Sequence, residues 1–155
     1  MTSAWDWEGG EGLLSLDDPE EWDAAYACGR DHLGTAVIGL ALNCPPAQAA
    51  PRILRAMRLP DAGQRAYAFT AAGHAARLNG ELTPELYDAL RAAGHRGVAE
   101  TAVDDTLTFV PFRELPPWFK WRYVVSAARG QAESWRLTVA YAAEDARQAL
   151  RRSRS

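Results

Sequence analysis

Apolar residues recur at helical spacing along most of the chain, in segments separated by proline and glycine. The segment after Pro84 shows the i, i+3, i+4, i+7 template of a helix with one buried face, through Leu86, Ala89, Leu90 and Ala93. Similar segments predict helices over about 19–28, 31–42, 47–58, 62–79, 84–93, 96–110, 117–129 and 131–150. The pattern therefore predicts an all-α chain of about seven or eight helices.

The second predicted helix has a competing interpretation. Val37 and Ile38 are β-branched, and Gly34 and Gly39 weaken a helix, so a short strand also fits this segment. Asp31 can start a helix here, and the Pro45-Pro46 pair ends it whichever structure forms.

An internal repeat organises the middle of the chain. Pro51–Arg58 aligns with Pro84–Arg91 at an offset of 33 residues, and the same step leads close to Pro19 and Pro117. Each of these prolines is predicted to begin a helix. Helix pairs that repeat in this way bury their apolar faces by stacking. Because the signatures of ankyrin and tetratricopeptide repeats are absent, the pattern favours a HEAT-like α-solenoid.

Composition supports a single soluble helical domain. The 155 residues are 48% hydrophobic and 24% charged, and alanine and arginine, both good helix formers, are abundant. No apolar run approaches the ~20 residues that a membrane span needs, and no secretory signal is present. We therefore expect a cytoplasmic protein without a membrane partner. The two cysteines, Cys28 and Cys44, are expected to be reduced thiols.

Charge is unevenly distributed, and it suggests how the chain divides. Residues 1–23 contain eight acidic residues, no basic residue and three tryptophans. We interpret residues 1–16 as an irregular acidic arm that is solvated and loosely ordered, with an interface as the alternative. Residues 17–150 then form one helical-repeat domain. Residues 151–155 form a basic tail, which does not by itself favour a nucleic-acid partner.

Motifs for catalysis, metals or cofactors are missing from the sequence, so we predict no catalytic residue, no metal site and no cofactor. The strongest polar cluster is Glu100, Asp104 and Asp105, of which the first two share one helix face. This cluster suits a structural role, a protein partner or acid–base chemistry. A buried Asp105 would need a hydrogen-bond donor, such as Arg77 or a backbone N–H of the neighbouring helix.

The densest aromatic stretch follows Pro117. Trp118 and Trp121, with Arg122, lie on one helical stripe, and Phe119 and Tyr123 lie on the other. An exposed tryptophan beside an arginine is a good interface anchor, whereas two buried stripes would make the stretch part of the core.

Two motifs resemble those of short bacterial HEAT-repeat-like proteins. They are Gly73-His-Ala-Ala-Arg-Leu-Asn-Gly80 and Ala99-Glu-Thr-Ala-Val-Asp-Asp105, and the resemblance covers roughly residues 50–110. It implies a right-handed stack of antiparallel helix pairs in which His74 and Arg77 belong to the family motif. Many proteins of this class act as immunity proteins, which bind and neutralise a cognate secreted toxin.

The resulting hypothesis is a protein-binding module, not an enzyme, that occludes the active surface of a toxin. Its predicted partner-binding residues are Glu100, Asp104, Asp105, Trp118, Trp121 and Arg122. One alternative is an intracellular regulatory or scaffold solenoid without a toxin partner. A more remote one is a small helical enzyme that uses the acid cluster and His74.

Overall fold

The structure, a computed structural model, describes the backbone of residues 5–152 and the side chains of residues 5–144 and 147. Within this range it is all-α, as predicted, and the strand alternative for the second segment is wrong. Its seven α-helices are α1 (Pro19–Ala27), α2 (Leu33–Asn43), α3 (Pro46–Ala56), α4 (Ala62–Asn79), α5 (Pro84–Ala93), α6 (Glu100–Phe109) and α7 (Pro117–Arg152).

The chain divides into two compact units, Met1–Pro116 and Pro117–Ser155. Their boundary falls inside the helical domain that was predicted over residues 17–150. The first unit contains α1 to α6, and the second consists of α7 and the residues that follow it. Residues 153–155 of the predicted basic tail lie outside the described residues.

Prolines mark the starts of all the odd-numbered helices. Pro19, Pro46, Pro84 and Pro117 each occupy the first helical position, where the missing N–H and the fixed φ are tolerated. The prediction that Pro51 begins a helix is wrong, because it lies inside α3. Pro46 already begins that helix, so the strict 33-residue register of the repeat is not kept.

The beginning of α2 is capped from another helix. Asp31 was predicted to start it, but the helix begins at Leu33, and His32 precedes it with a positive φ of 59° and no capping side chain. The cap comes from α4, where Gln64 Oε1 accepts hydrogen bonds from Gly34 N at 2.7 Å and Thr35 N at 3.2 Å. Two orphan N–H groups of α2 are thus satisfied only in the folded unit.

Burial on all sides explains why α2 is helical. Its sequence is apolar around the whole circumference, and eight of its eleven residues are buried. Two glycines allow neighbouring backbone to approach. A Cβ at Gly34 would lie 2.1 Å from the carbonyl oxygen of Gln64, and one at Gly39 would lie 2.2 Å from that of Leu13.

The helices of the first unit form two layers. One contains α1, α3 and α5, and the other contains α2, α4 and α6. In the second layer, α4 and α6 run parallel. Gly73 of α4 approaches Ala102 of α6, and Gly80, just after α4, approaches Phe109 at the far end of α6. Consecutive helices alternate between the two layers.

The segment before α1 is part of the core. The expectation of a solvated, loosely ordered arm is wrong for residues 5–16, because Trp7, Leu13 and Leu16 are at most 4% exposed. The single-turn helix Leu13–Ser15 packs on α2. The Asn43 side chain holds it there by donating to Leu14 O at 3.0 Å. Apolar burial outweighs the glycines and charges that suggested disorder.

The second unit contains one uninterrupted helix. The predicted break at Gly130 is wrong, since α7 continues from Pro117 to Arg152. A single glycine costs about 1 kcal/mol relative to alanine, which its alanine- and arginine-rich neighbours offset. Every described side chain from 126 to 144 is exposed. None of the helices in the described part of the chain combines the length and apolarity needed to cross a membrane.

Candidate functional site

The two family-like motifs meet where α4 packs on α6. Arg77 Nη2 lies 2.9 Å from Asp105 Oδ1, so the predicted donor for Asp105 is the one observed. The Asp105 side chain is only 16% exposed. A Cβ at Gly73 would lie 2.7 Å from Asp105 Oδ2, so the glycine makes room for this carboxylate. Asp105 therefore has a structural role in the helix contact.

The other two acids of the cluster face solvent. Glu100 and Asp104 are exposed and lie one turn apart on α6. Neither forms a salt bridge with any residue that the structure describes. Their mutual repulsion amounts to a few tenths of a kcal/mol. The two carboxylates form an exposed acidic face, which suits a cationic partner.

Exposed apolar side chains lie near the Arg77–Asp105 pair. The guanidinium of Arg77 lies 5.2 Å from the centre of the Phe109 ring, and Phe109 is 42% exposed. Leu78, the next residue on α4, is 57% exposed. His74 is half-buried one turn before Leu78. Charged and apolar groups side by side are the usual composition of a protein interface.

The aromatic residues of α7 change from buried to exposed along the helix. Phe119 is 1% exposed and Trp118, half-buried, contacts it edge to face at 4.8 Å. Trp121 is 64% exposed, and the adjacent Arg122 is half-buried. Tyr123 is also exposed, so each of the two predicted stripes contains both covered and exposed side chains. These residues belong to the second unit, and the acidic face belongs to the first.

A cleft of about 590 Å³ in the first unit was not predicted. Its polar lining residues are Tyr26, Arg30, Asp31, His32, Asp61 and Gln64. Asp31-His32 precedes α2 and Asp61 precedes α4, and the packing of these two helices brings the residues together. No predicted site residue lines the cleft. Among the described residues, no three side chains that commonly bind metals converge anywhere.

Comparisons of the chain with protein-family models, with curated proteins and with solved structures found no match. The resemblance to HEAT-repeat-like proteins therefore stays a prediction.

Proposed function

We propose that the chain is a protein-binding helical-repeat module of HEAT-like type that acts as an immunity protein, neutralising a bacterial toxin by covering its active surface. The observation that carries the proposal is the exposed Glu100–Asp104 pair. It stands on a helix whose inner side is held in place by Arg77 and Asp105. A preorganised surface loses little conformational entropy when it binds.

The layered arrangement supports the repeat interpretation. The odd helices α1, α3 and α5 contact one another in turn, and so do the even helices α2, α4 and α6. Such an arrangement is what stacked helix pairs of an α-solenoid produce. The last even helix, α6, then lies at the end of its layer with Glu100 and Asp104 on its outer face.

Charge indicates the chemistry of the partner. Residues 1–116 contain 17 acidic and 9 basic side chains, a net charge of −8. An acidic surface attracts a basic one over long range and raises the rate of association. A toxin with a basic active surface, such as one that acts on nucleic acid, would be covered by charge complementarity as well as by shape.

The test begins with capture of the partner from a lysate of the source cells and its identification by mass spectrometry. Affinity for the purified partner is then measured by calorimetry for the wild type, for Glu100→Lys/Asp104→Lys and for the control Glu81→Lys/Glu85→Lys. The control makes the same charge change at exposed positions outside the acidic face. We expect at least tenfold weaker binding for the first variant only. Equal affinity of all three would exclude the acidic face.

Toxicity distinguishes the proposal from its scaffold alternative. If the partner is a toxin, cells that express it alone stop growing, and co-expression of wild-type chain restores growth. A harmless stoichiometric partner would instead support a scaffold role. The enzyme alternative is disfavoured by the geometry, since Asp105 is paired with Arg77 while Glu100 and Asp104 face solvent.

A further inference from the structure

An apolar stripe runs along the exposed length of α7. Its members recur at positions that repeat every eleven residues, and each of the three repeats supplies three of them. They are Trp121, Val124 and Ala128, then Ala132, Trp135 and Val139, and then Ala143, Ala146 and Leu150. Eleven residues in three turns nearly match the natural period of the α-helix, so the stripe stays on one face of a straight helix.

Four large members of this stripe are exposed in the part of α7 whose side chains the structure describes. Trp121 is 64% exposed, Val124 51%, Trp135 70% and Val139 63%. A helix cannot cover its own face, and contiguous exposed apolar surface marks a site of contact. A regular, narrow stripe is the pattern of a seam between two helices.

We propose that α7 pairs with α7 of a second copy of the chain, in antiparallel orientation, about a two-fold axis that passes beside Ala132. In this register each large side chain meets a small one or one of matching size. Trp135 lies opposite Ala128 of the second copy, and Val124 lies opposite Val139. Trp121 lies opposite Ala142, which borders the stripe. Alternation of large and small residues across a seam allows the helices to pack closely.

The area available is adequate for a stable dimer. Two tryptophans contribute roughly 300 Å² per copy when covered, since each carries roughly 150–250 Å². Standard interfaces bury about 800 Å² per partner. In this register the seam extends over about 32 Å between Trp121 and Ala142, at 1.5 Å per residue, so its valines, alanines and flanking side chains can supply the remainder.

The charges beside the stripe predict how salt affects the stability of the dimer. Arg129 and Arg136 border the stripe on one side, and the antiparallel register brings Arg129 of one copy towards Arg136 of the other. Glu133 lies four residues after Arg129 and only partly neutralises this flank. Screening by salt weakens the repulsion between the arginines. We therefore expect high salt to strengthen the dimer, whereas it would weaken binding to an acidic partner or an anionic membrane.

The first experiment measures the mass of the full chain by sedimentation equilibrium at low and high salt. We expect a dimer for the wild type and a monomer for Val124→Asp/Val139→Asp. The matched control, Leu137→Asp/Tyr141→Asp, changes two exposed residues on the opposite face and should remain a dimer. Circular dichroism verifies that both variants keep their helices. A wild type that is monomeric at both salt concentrations would overturn the proposal.

The second experiment tests the orientation. In a background of Cys28→Ser and Cys44→Ser, a single Ala132→Cys substitution lies beside the proposed axis, so oxidation should link two copies. A single Ala142→Cys substitution lies far from its own counterpart in an antiparallel pair and should not be linked. Efficient linking at both positions would indicate parallel helices, and linking at neither would exclude this seam. This inference does not depend on the proposed toxin.

Discussion

The helices α2 and α7 reach the same secondary structure for opposite reasons. Eight of the eleven residues of α2 are buried, whereas every described side chain of α7 from 126 to 144 is exposed. The α2 sequence contains two glycines and adjacent β-branched residues, which are poor helix formers. The α7 sequence is rich in alanine and arginine, which are good ones. Tertiary packing therefore maintains α2, and local propensity maintains α7.

A methyl group at Gly34 tests most directly whether packing maintains α2. In Gly34→Ala the new Cβ would lie 2.1 Å from the backbone oxygen of Gln64, so α2 and α4 must separate. This separation also disturbs the Gln64 cap. We expect a loss of about 3 kcal/mol or more in the free energy of unfolding, at the upper end of overpacking effects. Urea denaturation followed by circular dichroism measures it. A loss below about 1 kcal/mol would mean that the contact is easily relaxed.

A second prediction compares a sheltered ion pair with an exposed one. Asp105→Asn weakens the contact of Arg77 with a carboxylate that is only 16% exposed, and we expect a loss of about 1–2 kcal/mol. The expected loss of stability is modest because the Arg77 side chain is 47% exposed and solvent screens the pair. The control Asp88→Asn affects a pair with Arg91 on the surface of α5 and should change stability by less than about 0.5 kcal/mol. Equal losses in thermal unfolding would refute the difference.

The third prediction is a gain in stability, where the first two were losses. Gly130→Ala places a methyl group where no other atom lies within 4 Å, at a position with ordinary helical φ. We expect a gain of about 0.5–1 kcal/mol in the stability of α7, because alanine loses less backbone entropy than glycine. Circular dichroism at 222 nm during heating would detect it as a higher melting temperature of the helix. A decrease in helicity would show that α7 needs the glycine.

The smallest effect concerns the two thiols. Burial, and then the nearby negative charge of Asp17, raises the pKa of Cys44 above its ordinary value of 9.0. The neutral thiol is therefore favoured by folding. The contribution of the Cys44 thiol to stability is complete below about pH 9, and it is lost as the pH rises through the pKa of Cys44 in the folded chain. We expect Ellman's reagent at pH 8 to modify the exposed Cys28 quickly and Cys44 slowly. Equal rates would contradict this.

Sequence reasoning succeeded where both ends of an element carry local signals. The predicted bounds of α4 and α5 match the structure, because capping residues, Pro84 and the glycines after each helix act within a few residues. It was less successful for features that depend on contacts between residues far apart in the sequence. The Gln64 cap on α2 depends on how two helices align, and so does the cleft beside His32. Arg77 could be named from the sequence as one possible partner of Asp105, because a buried carboxylate needs a hydrogen-bond donor.

The N-terminal segment has a further consequence for how the first unit opens. Leu13 and Leu16 are fully buried, and the backbone near Leu13 closes tightly over Gly39. Release of this segment would expose one side of α2, whose weak intrinsic propensity cannot keep it folded in water. Residues 5–16 and α2 should therefore exchange their amide hydrogens together, as one cooperative unit. Removing residues 5–16 would then unfold α2 as well, instead of only shortening the chain at its N-terminal end.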